Sequence, residues 1–285
     1  MAQLMDGKLV SQSVRDRIRE QAAGYRVRFG TAPGLAVVLV GGDPASKIYV
    51  NNKKKACAEV GFGSFEYLLP EDCPQEELIA LVHKLNADPR VNGILVQLPL
   101  PRHIDEIEVI RAIDPAKDVD AFSERNVGRI MIGNYDFLPC TPAGVMEMLR
   151  YYKIDPAGKE AVVVGRSNIV GKPQALLLLQ ANATVTICHS KTRDLAEVTR
   201  RAEILVVAIG RGGFITGDMV RESAVVVDVG MNRNPEGKLV GDVDFAAVEP
   251  RASYITPVPG GVGPMTIAML LQNTLTAYKR LQGIE

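Results

Sequence analysis

Short apolar runs, most of them β-branched, recur along this chain and are separated by stretches of helical period. One series covers residues 35–40, 64–68 and 93–97; a second covers 160–164, 184–188, 204–209 and 225–229. Continuous apolar runs of this length suit strands buried on both faces, and strands that alternate with helices pair in parallel beneath helical layers. The expected class is therefore α/β, with mainly parallel sheets. Between the two series stands Phe137-Leu138-Pro139-Cys140-Thr141-Pro142, where Thr141 suits an N-cap and Pro142 a first helical residue. A chain of 285 residues exceeds the usual size of one domain. Two α/β domains are expected, residues 1–139 and 140–263, with a terminal helix over 264–285 that packs back on the first domain or bridges the two.

Charge and cysteine usage narrow the partners. The 33 basic residues balance 33 acidic ones, so no basic excess draws the chain to nucleic acid or to an anionic membrane. No apolar run approaches the length of a bilayer span. The first eight residues carry an early acid and no apolar core, unlike a secretory signal or a transit peptide, and a cytoplasmic location is expected. Cys57, Cys73, Cys140 and Cys188 are scattered, as are His83, His103 and His189, so neither a disulfide framework nor a metal site is expected.

After the first strand, Ser46, Tyr49 and Lys53 are spaced by three and four residues and share one face of a helix that Gly61 closes. A phenol ring beside an amine suits chemistry on a flat organic substrate. The same residues also fit a solvated run, Lys53-Lys54-Lys55, with Tyr49 packed on the core.

The second series opens with Val162-Val163-Val164-Gly165-Arg166-Ser167-Asn168-Ile169-Val170-Gly171-Lys172-Pro173, a strand, a glycine turn and a helix start. Unpaired N–H groups at the helix start, with Gly165 and Gly171 admitting close approach, make a cradle for phosphate. A tight βα turn without a ligand uses the same residues, and the glycine spacing departs from the usual dinucleotide fingerprint. The next strand ends Cys188-His189-Ser190-Lys191-Thr192-Arg193, where an NAD site usually carries a carboxylate for the ribose 2′-hydroxyl. Cations and hydroxyls there fit a 2′-phosphate, which makes NADP the expected cofactor, held by Arg166 and Ser190. A solvated basic loop is the alternative.

With these segments placed, the chain resembles the bifunctional methylenetetrahydrofolate dehydrogenase/cyclohydrolase family over nearly its whole length. The likeness rests on Val40-Gly41 with Ser46, Tyr49 and Lys53, on residues 93–101, and on Lys117-Asp118-Val119-Asp120. It continues through residues 139–144 and 164–173, Asp228-Val229-Gly230, and residues 256–266, all in family order. Two positions depart from the family pattern, which has glycine where Ala121 stands and often proline where Gly212 stands. Ala121 is expected to crowd the folate pocket or to need an unusual backbone angle, and Gly212 to loosen the loop beside the cofactor.

The resemblance implies a bifunctional enzyme of one-carbon folate metabolism with its site in a cleft between two α/β domains, the second Rossmann-like. Such an enzyme oxidises 5,10-methylenetetrahydrofolate to 5,10-methenyltetrahydrofolate with NADP⁺ and hydrolyses the product to 10-formyltetrahydrofolate. Catalytic roles are implied for Tyr49, Lys53, Gln97 and Asp120. Tyr49 would stack on the folate rings, and Asp120 would take two hydrogen bonds from the amino-pyrimidine edge of the pterin. Lys53, its pKa lowered by burial and by the cationic substrate, would carry the proton in hydrolysis, with Gln97 orienting it or polarising water. The plainer alternatives are a strand-end amide for Gln97 and a cap or ion-pair acid for Asp120. Ser46 supports this network or caps its helix, and Pro257, Gly260 and Gly261 bring backbone close to the ligands. Cofactor contacts are implied for Thr141, Gly165, Arg166, Ser167, Ile169, Gly171, Ser190 and Gly230. A homodimer is implied by the resemblance alone. Two narrower readings are a dehydrogenase without the hydrolysis and a non-catalytic nucleotide-sensing module, which has no need of a positioned amine and amide.

Overall fold

A computed structural model describes residues 2–284. The chain divides into two compact units, one holding Ser13–Leu138 and the chain from Ile267 on, the other holding the chain up to Gln12 and Pro139–Thr266. It opens with strand β1 (Gln3–Leu4) and helix α1 (Gly7–Phe29). The unit built on Ser13–Leu138 then contributes β2 (Gly34–Val40), α2 (Pro44–Val60), β3 (Gly63–Leu69), α3 (Gln75–Ala87), β4 (Gly93–Val96), α4 (Glu106–Ala112) and α5 (Glu124–Met131). Its three strands are parallel, in the order β3-β2-β4. The central strand β2 is apolar and buried at every position, as a strand covered on both faces must be. Leu78, Val82 and Leu85 of α3 pack with Val38, Ile94 and Val109 in the core of this unit.

The other unit contains α6 (Cys140–Tyr151), β5 (Glu160–Val164), α7 (Gly171–Gln180), β6 (Thr184–Cys188), α8 (Leu195–Thr199), β7 (Ile204–Val207) and β8 (Val225–Asp228). A short antiparallel pair, β9 (Asn232–Arg233) and β10 (Leu239–Val240), precedes α9 (Phe245–Val248) and β11 (Tyr254–Ile255), and α10 (Val262–Leu281) closes the chain. The main sheet is parallel throughout, in the order β1-β11-β8-β7-β5-β6.

Residues 2–12, expected with the rest of 1–139 in the first domain, group instead with the second sheet, because β1 pairs in parallel with β11. The division falls within α1 and again within α10, which begins at Val262. Helix α1 has no counterpart among the sequence-derived elements, although Val10, Val14, Ile18 and Ala22 recur every fourth residue and are buried. Thr141 is not the N-cap of α6, since the helix already begins at Cys140 and Pro139 holds the cap position. Among the described residues no helix is long and apolar enough to cross a membrane.

Both parallel sheets change direction at one strand. The chain leaves β2 for β3 on one side and returns to β4 on the other; likewise it leaves β5 for β6 and returns to β7. Loops leaving the carboxyl ends of two such neighbours diverge, and the crevice between them is where open α/β sheets take their ligands.

Candidate active site

At the switch point of the three-stranded sheet, α2 follows the carboxyl end of β2. Asp43 caps it, accepting from Ser46 N at 2.7 Å through Oδ2, with Pro44 as the next residue. The capping role considered for Ser46 therefore falls to Asp43, since Ser46 already lies in the first turn. Farther along, Ser46 and Lys53 are each 7% exposed and Tyr49 is 37% exposed. Gln97 follows β4 directly and donates its backbone N–H to Val38 O at 2.8 Å, which carries the ladder to β2 one residue past the strand. Lys53 Nζ donates to Gln97 Oε1 at 2.6 Å, and Gln97 Nε2 donates to Leu98 O at 2.7 Å. With both ends of the amide engaged, its oxygen is fixed toward the amine. Lys53 is thus not part of a solvated run; Lys54, exposed, pairs with Glu66 at 2.6 Å instead.

Lys117-Asp118-Val119-Asp120 separates into framework and half-exposed acid. Lys117 Nζ donates to Leu85 O at 3.2 Å in the last turn of α3 and to Asp88 O at 2.9 Å just past it, and burial holds its pKa below the usual amine range. Asp118, buried, accepts from Ser123 N at 2.8 Å and from Asn126 Nδ2 at 2.9 Å. Ser123 is the N-cap of α5, so Asp120 caps no helix there. Asp120 is half-buried, and Asn273 of α10 braces its neighbour by donating Nδ2 to Val119 O at 2.8 Å.

Next to Asp120, Ala121 is fully buried with φ +58°, in the left-handed region. A side chain there costs about 1–2 kcal/mol. Ala121→Gly relieves this strain but gives up a buried methyl and frees the unfolded chain, together about 1 kcal/mol. The expected net is a gain of up to about 1 kcal/mol, read as a higher urea midpoint. A midpoint lower than wild type would mean the methyl's packing outweighs the strain.

In the larger sheet the switch point lies between β5 and β7. Gly165, just past β5, has φ +135°, and a Cβ there would stand 2.2 Å from Ala208 O. A Cβ on Gly171 would stand 2.3 Å from Gly165 O. Both positions exclude any side chain, so the turn is closed on backbone alone. The expected unpaired N–H groups at the start of α7 are not all free, because Ser167 Oγ accepts from Val170 N and Gly171 N at 3.2 Å and Ser167 O from Lys172 N at 3.1 Å. Serine turned back on its own helix satisfies them first. Arg166 and Ile169 remain exposed on the turn. After β6, Thr192 Oγ1 accepts from His189 N at 2.8 Å, folding the turn so that Ser190, Lys191 and Arg193 are exposed. Small residues against the strand ends and exposed cations beyond them fit a phosphorylated dinucleotide.

Five expected residues sit elsewhere in this unit. Thr141 Oγ1 lies 3.1 Å from Thr266 Oγ1. Gly230 is buried and its N–H already serves Asp228 Oδ1 at 2.8 Å. Asp228 also accepts from Asp242 N and Val243 N, both at 2.9 Å, yet burial, with Asp242 beside it, pushes its carboxyl up to about 6. Gly260 and Gly261 form a tight approach to the chain start, Gly7 N donating to Gly260 O at 2.9 Å, and Pro257 follows Thr256, whose hydroxyl accepts from Asp228 N at 2.7 Å. Pro257, Gly260 and Gly261 thus belong to the unit of the glycine turn, whereas Ser46, Tyr49, Lys53, Gln97 and Asp120 belong to the other.

The loosening expected at Gly212 is opposed by a residue that motif reading passed over. Asp242 accepts through Oδ2 from Ile209 N at 2.7 Å and Gly210 N at 3.0 Å, and through Oδ1 from Arg211 N at 2.7 Å. Gly213 N donates to Gly241 O at 3.0 Å on the far side of Gly212.

Two family models match the chain: the catalytic domain of tetrahydrofolate dehydrogenase/cyclohydrolase over residues 5–120, and the NAD(P)-binding domain of the same description over residues 139–282. A curated relative from Acetivibrio thermocellus, Bifunctional protein FolD, is 60% identical over 278 residues, covering 98% of this chain and 97% of the relative. The crystal structure of the bifunctional enzyme FolD of Campylobacter jejuni matches with TM-score 0.96 at 51% identity, covering 98% of this chain and 99% of that one. The Trypanosoma brucei methylenetetrahydrofolate dehydrogenase-cyclohydrolase, solved with NADP cofactor and an inhibitor, matches with TM-score 0.94 at 42% identity over 98% of each chain.

Proposed function

Since this chain belongs to the tetrahydrofolate dehydrogenase/cyclohydrolase family, we propose that Lys53 and Gln97 carry its hydrolytic step and that the turn from Gly165 to Gly171 receives its dinucleotide. The protein is a bifunctional enzyme of one-carbon folate metabolism: it oxidises 5,10-methylenetetrahydrofolate with NADP⁺ and hydrolyses the methenyl product to 10-formyltetrahydrofolate. The single observation that carries the residue assignment is the 2.6 Å contact between Lys53 and Gln97 beside the carboxyl ends of β2 and β4.

Bound at this turn, NADP⁺ would supply the hydride acceptor for the methylene carbon, and the protein's part in that step would be orientation. Tyr49 offers its ring as a platform for the flat pterin, and Asp120 offers a carboxylate to the amino-pyrimidine edge. Arg166 and Ser190 meet the 2′-phosphate, with Ile169 and Thr141 beside the cofactor. In hydrolysis Lys53 acts itself. Gln97 Oε1 accepts one N–H of Lys53 and holds the amine beside the carboxyl ends of β2 and β4, to meet the water that adds to the methenyl carbon, and the cationic substrate favours the neutral amine. Lys53 takes that water's proton and returns one to N5 as the carbon–N5 bond breaks. The formyl group stays on N10, and one proton is released overall.

A paired assay tests this reading: purified protein should reduce NADP⁺ on addition of methylenetetrahydrofolate, reduce NAD⁺ less well, and clear methenyltetrahydrofolate absorbance. Folded protein that does neither would overturn it.

The assembled form is a homodimer. Among the described residues β3 pairs on one side only, and Leu68 on it is 66% exposed, an open edge of the kind that a second copy covers. Light scattering should give twice 30.9 kDa, and a monomer at assay concentration would remove this reading. The four cysteines are free and buried, which suits the reducing cytoplasm, and cell fractionation checks that location.

A further inference from the structure

Three consecutive backbone N–H groups converge on one buried carboxylate at the end of β7. Ile209 N and Gly210 N reach Asp242 Oδ2, Arg211 N reaches Oδ1, and Asn232 Nδ2 adds a fourth donor to Oδ1 at 2.9 Å. Gly210 has φ +66°, the left-handed conformation that lets successive N–H groups curl around a single anion. Such a nest ordinarily takes a bound anion; here the chain supplies its own, fully buried. Asp242 is itself held, because its N–H and that of Val243 serve Asp228, and a Cβ on Gly241 would fall 1.8 Å from Asp228 Oδ2. The end of β8 therefore fixes Asp242, and Asp242 fixes the exit of β7.

That exit matters because of where it lies. Ala208, the residue before the nest, has its carbonyl against Gly165, so the nest begins at the wall of the β5/β7 switch point. We propose that Asp242 is a positioning residue for the dinucleotide: by filling the Ile209–Gly210–Arg211 nest with an internal anion, it sets the shape of the loop against which the cofactor docks. This rests on the reading of the Gly165 turn as the dinucleotide site.

Asp242→Asn keeps the shape and removes the charge and one acceptor, so two N–H groups face an amide nitrogen. The expected result is a KM for NADP⁺ raised about tenfold, with dehydrogenase kcat at saturating NADP⁺ changed less than about twofold. Hydrolysis of methenyltetrahydrofolate without dinucleotide, measured on the same sample, should stay near wild type, whereas mere loss of folded enzyme would lower both activities together. Asn232→Ala, at a half-buried position, removes one donor and should raise the same KM by about threefold without unfolding the unit. A KM for NADP⁺ at the wild-type value in Asn232→Ala, or in folded Asp242→Asn, overturns the proposal, as does a parallel fall in hydrolysis. Wild-type protein that fails to reduce NADP⁺ at all would instead overturn the reading of the Gly165 turn.

Discussion

Lys53→Met should lower hydrolysis of methenyltetrahydrofolate by roughly a hundred- to ten-thousand-fold, the range that a positioned proton carrier contributes. Methionine nearly matches the length and apolar stem of lysine, so α2 and its packing survive. Only the amine is lost, leaving Gln97 Oε1 without the donor that now stands 2.6 Å away. Folate binding should suffer far less, because Tyr49 and Asp120 hold the pterin in this reading. The measurement is the decay of methenyl absorbance beside a direct titration of folate. Hydrolysis within a few-fold of wild type would remove Lys53 from the reaction, and equal losses of turnover and binding would make it a substrate contact only.

Gly165→Ala should damage the dinucleotide side severely. The new Cβ would stand 2.2 Å from Ala208 O, and φ +135° is a conformation that side chains rarely adopt. Strain and overpacking together cost roughly 2–6 kcal/mol, and the only relief is to part the ends of β5 and β7. Gly158→Ala is the control, since Gly158 has φ +73° but open space around it, for a cost of about 1–2 kcal/mol. Urea midpoints and KM for NADP⁺ of the two variants separate strain from steric closure. If Gly165→Ala matched Gly158→Ala in both, the close approach of Gly165 to β7 would have no functional weight.

Much of this site follows from local pattern. Ser46, Tyr49 and Lys53 share a helix face because their spacing is that of the helix, and Gly61 at φ +79° ends α2 where a glycine was expected to. The cations and hydroxyls in place of a carboxylate over residues 188–193, at the end of β6, are visible in the order of residues, as is the alanine at 121. Other features leave no such trace. Two residues suffice for β1, too few for any period, and the Asp242 nest is built from backbone donors 31–33 positions away that have no side-chain signature. Ser167 was visible as a turn residue, but not its inward rotation, which depends on the turn's dihedral angles.

By itself the order of amino acids determined the alternation of strands and helices, the glycine turn, and which chemical groups the chain owns, because periodicity and steric freedom act over a few residues. Tertiary structure alone decided that Lys53 meets Gln97, 44 positions on, that Asp118 is framework while Asp120 stays half-exposed, and that Ala121 stands at φ +58°. The physical reason is that burial and hydrogen-bond partners are set by which strands become neighbours, and β4 joins β2 across a crossover whose outcome no local pattern encodes.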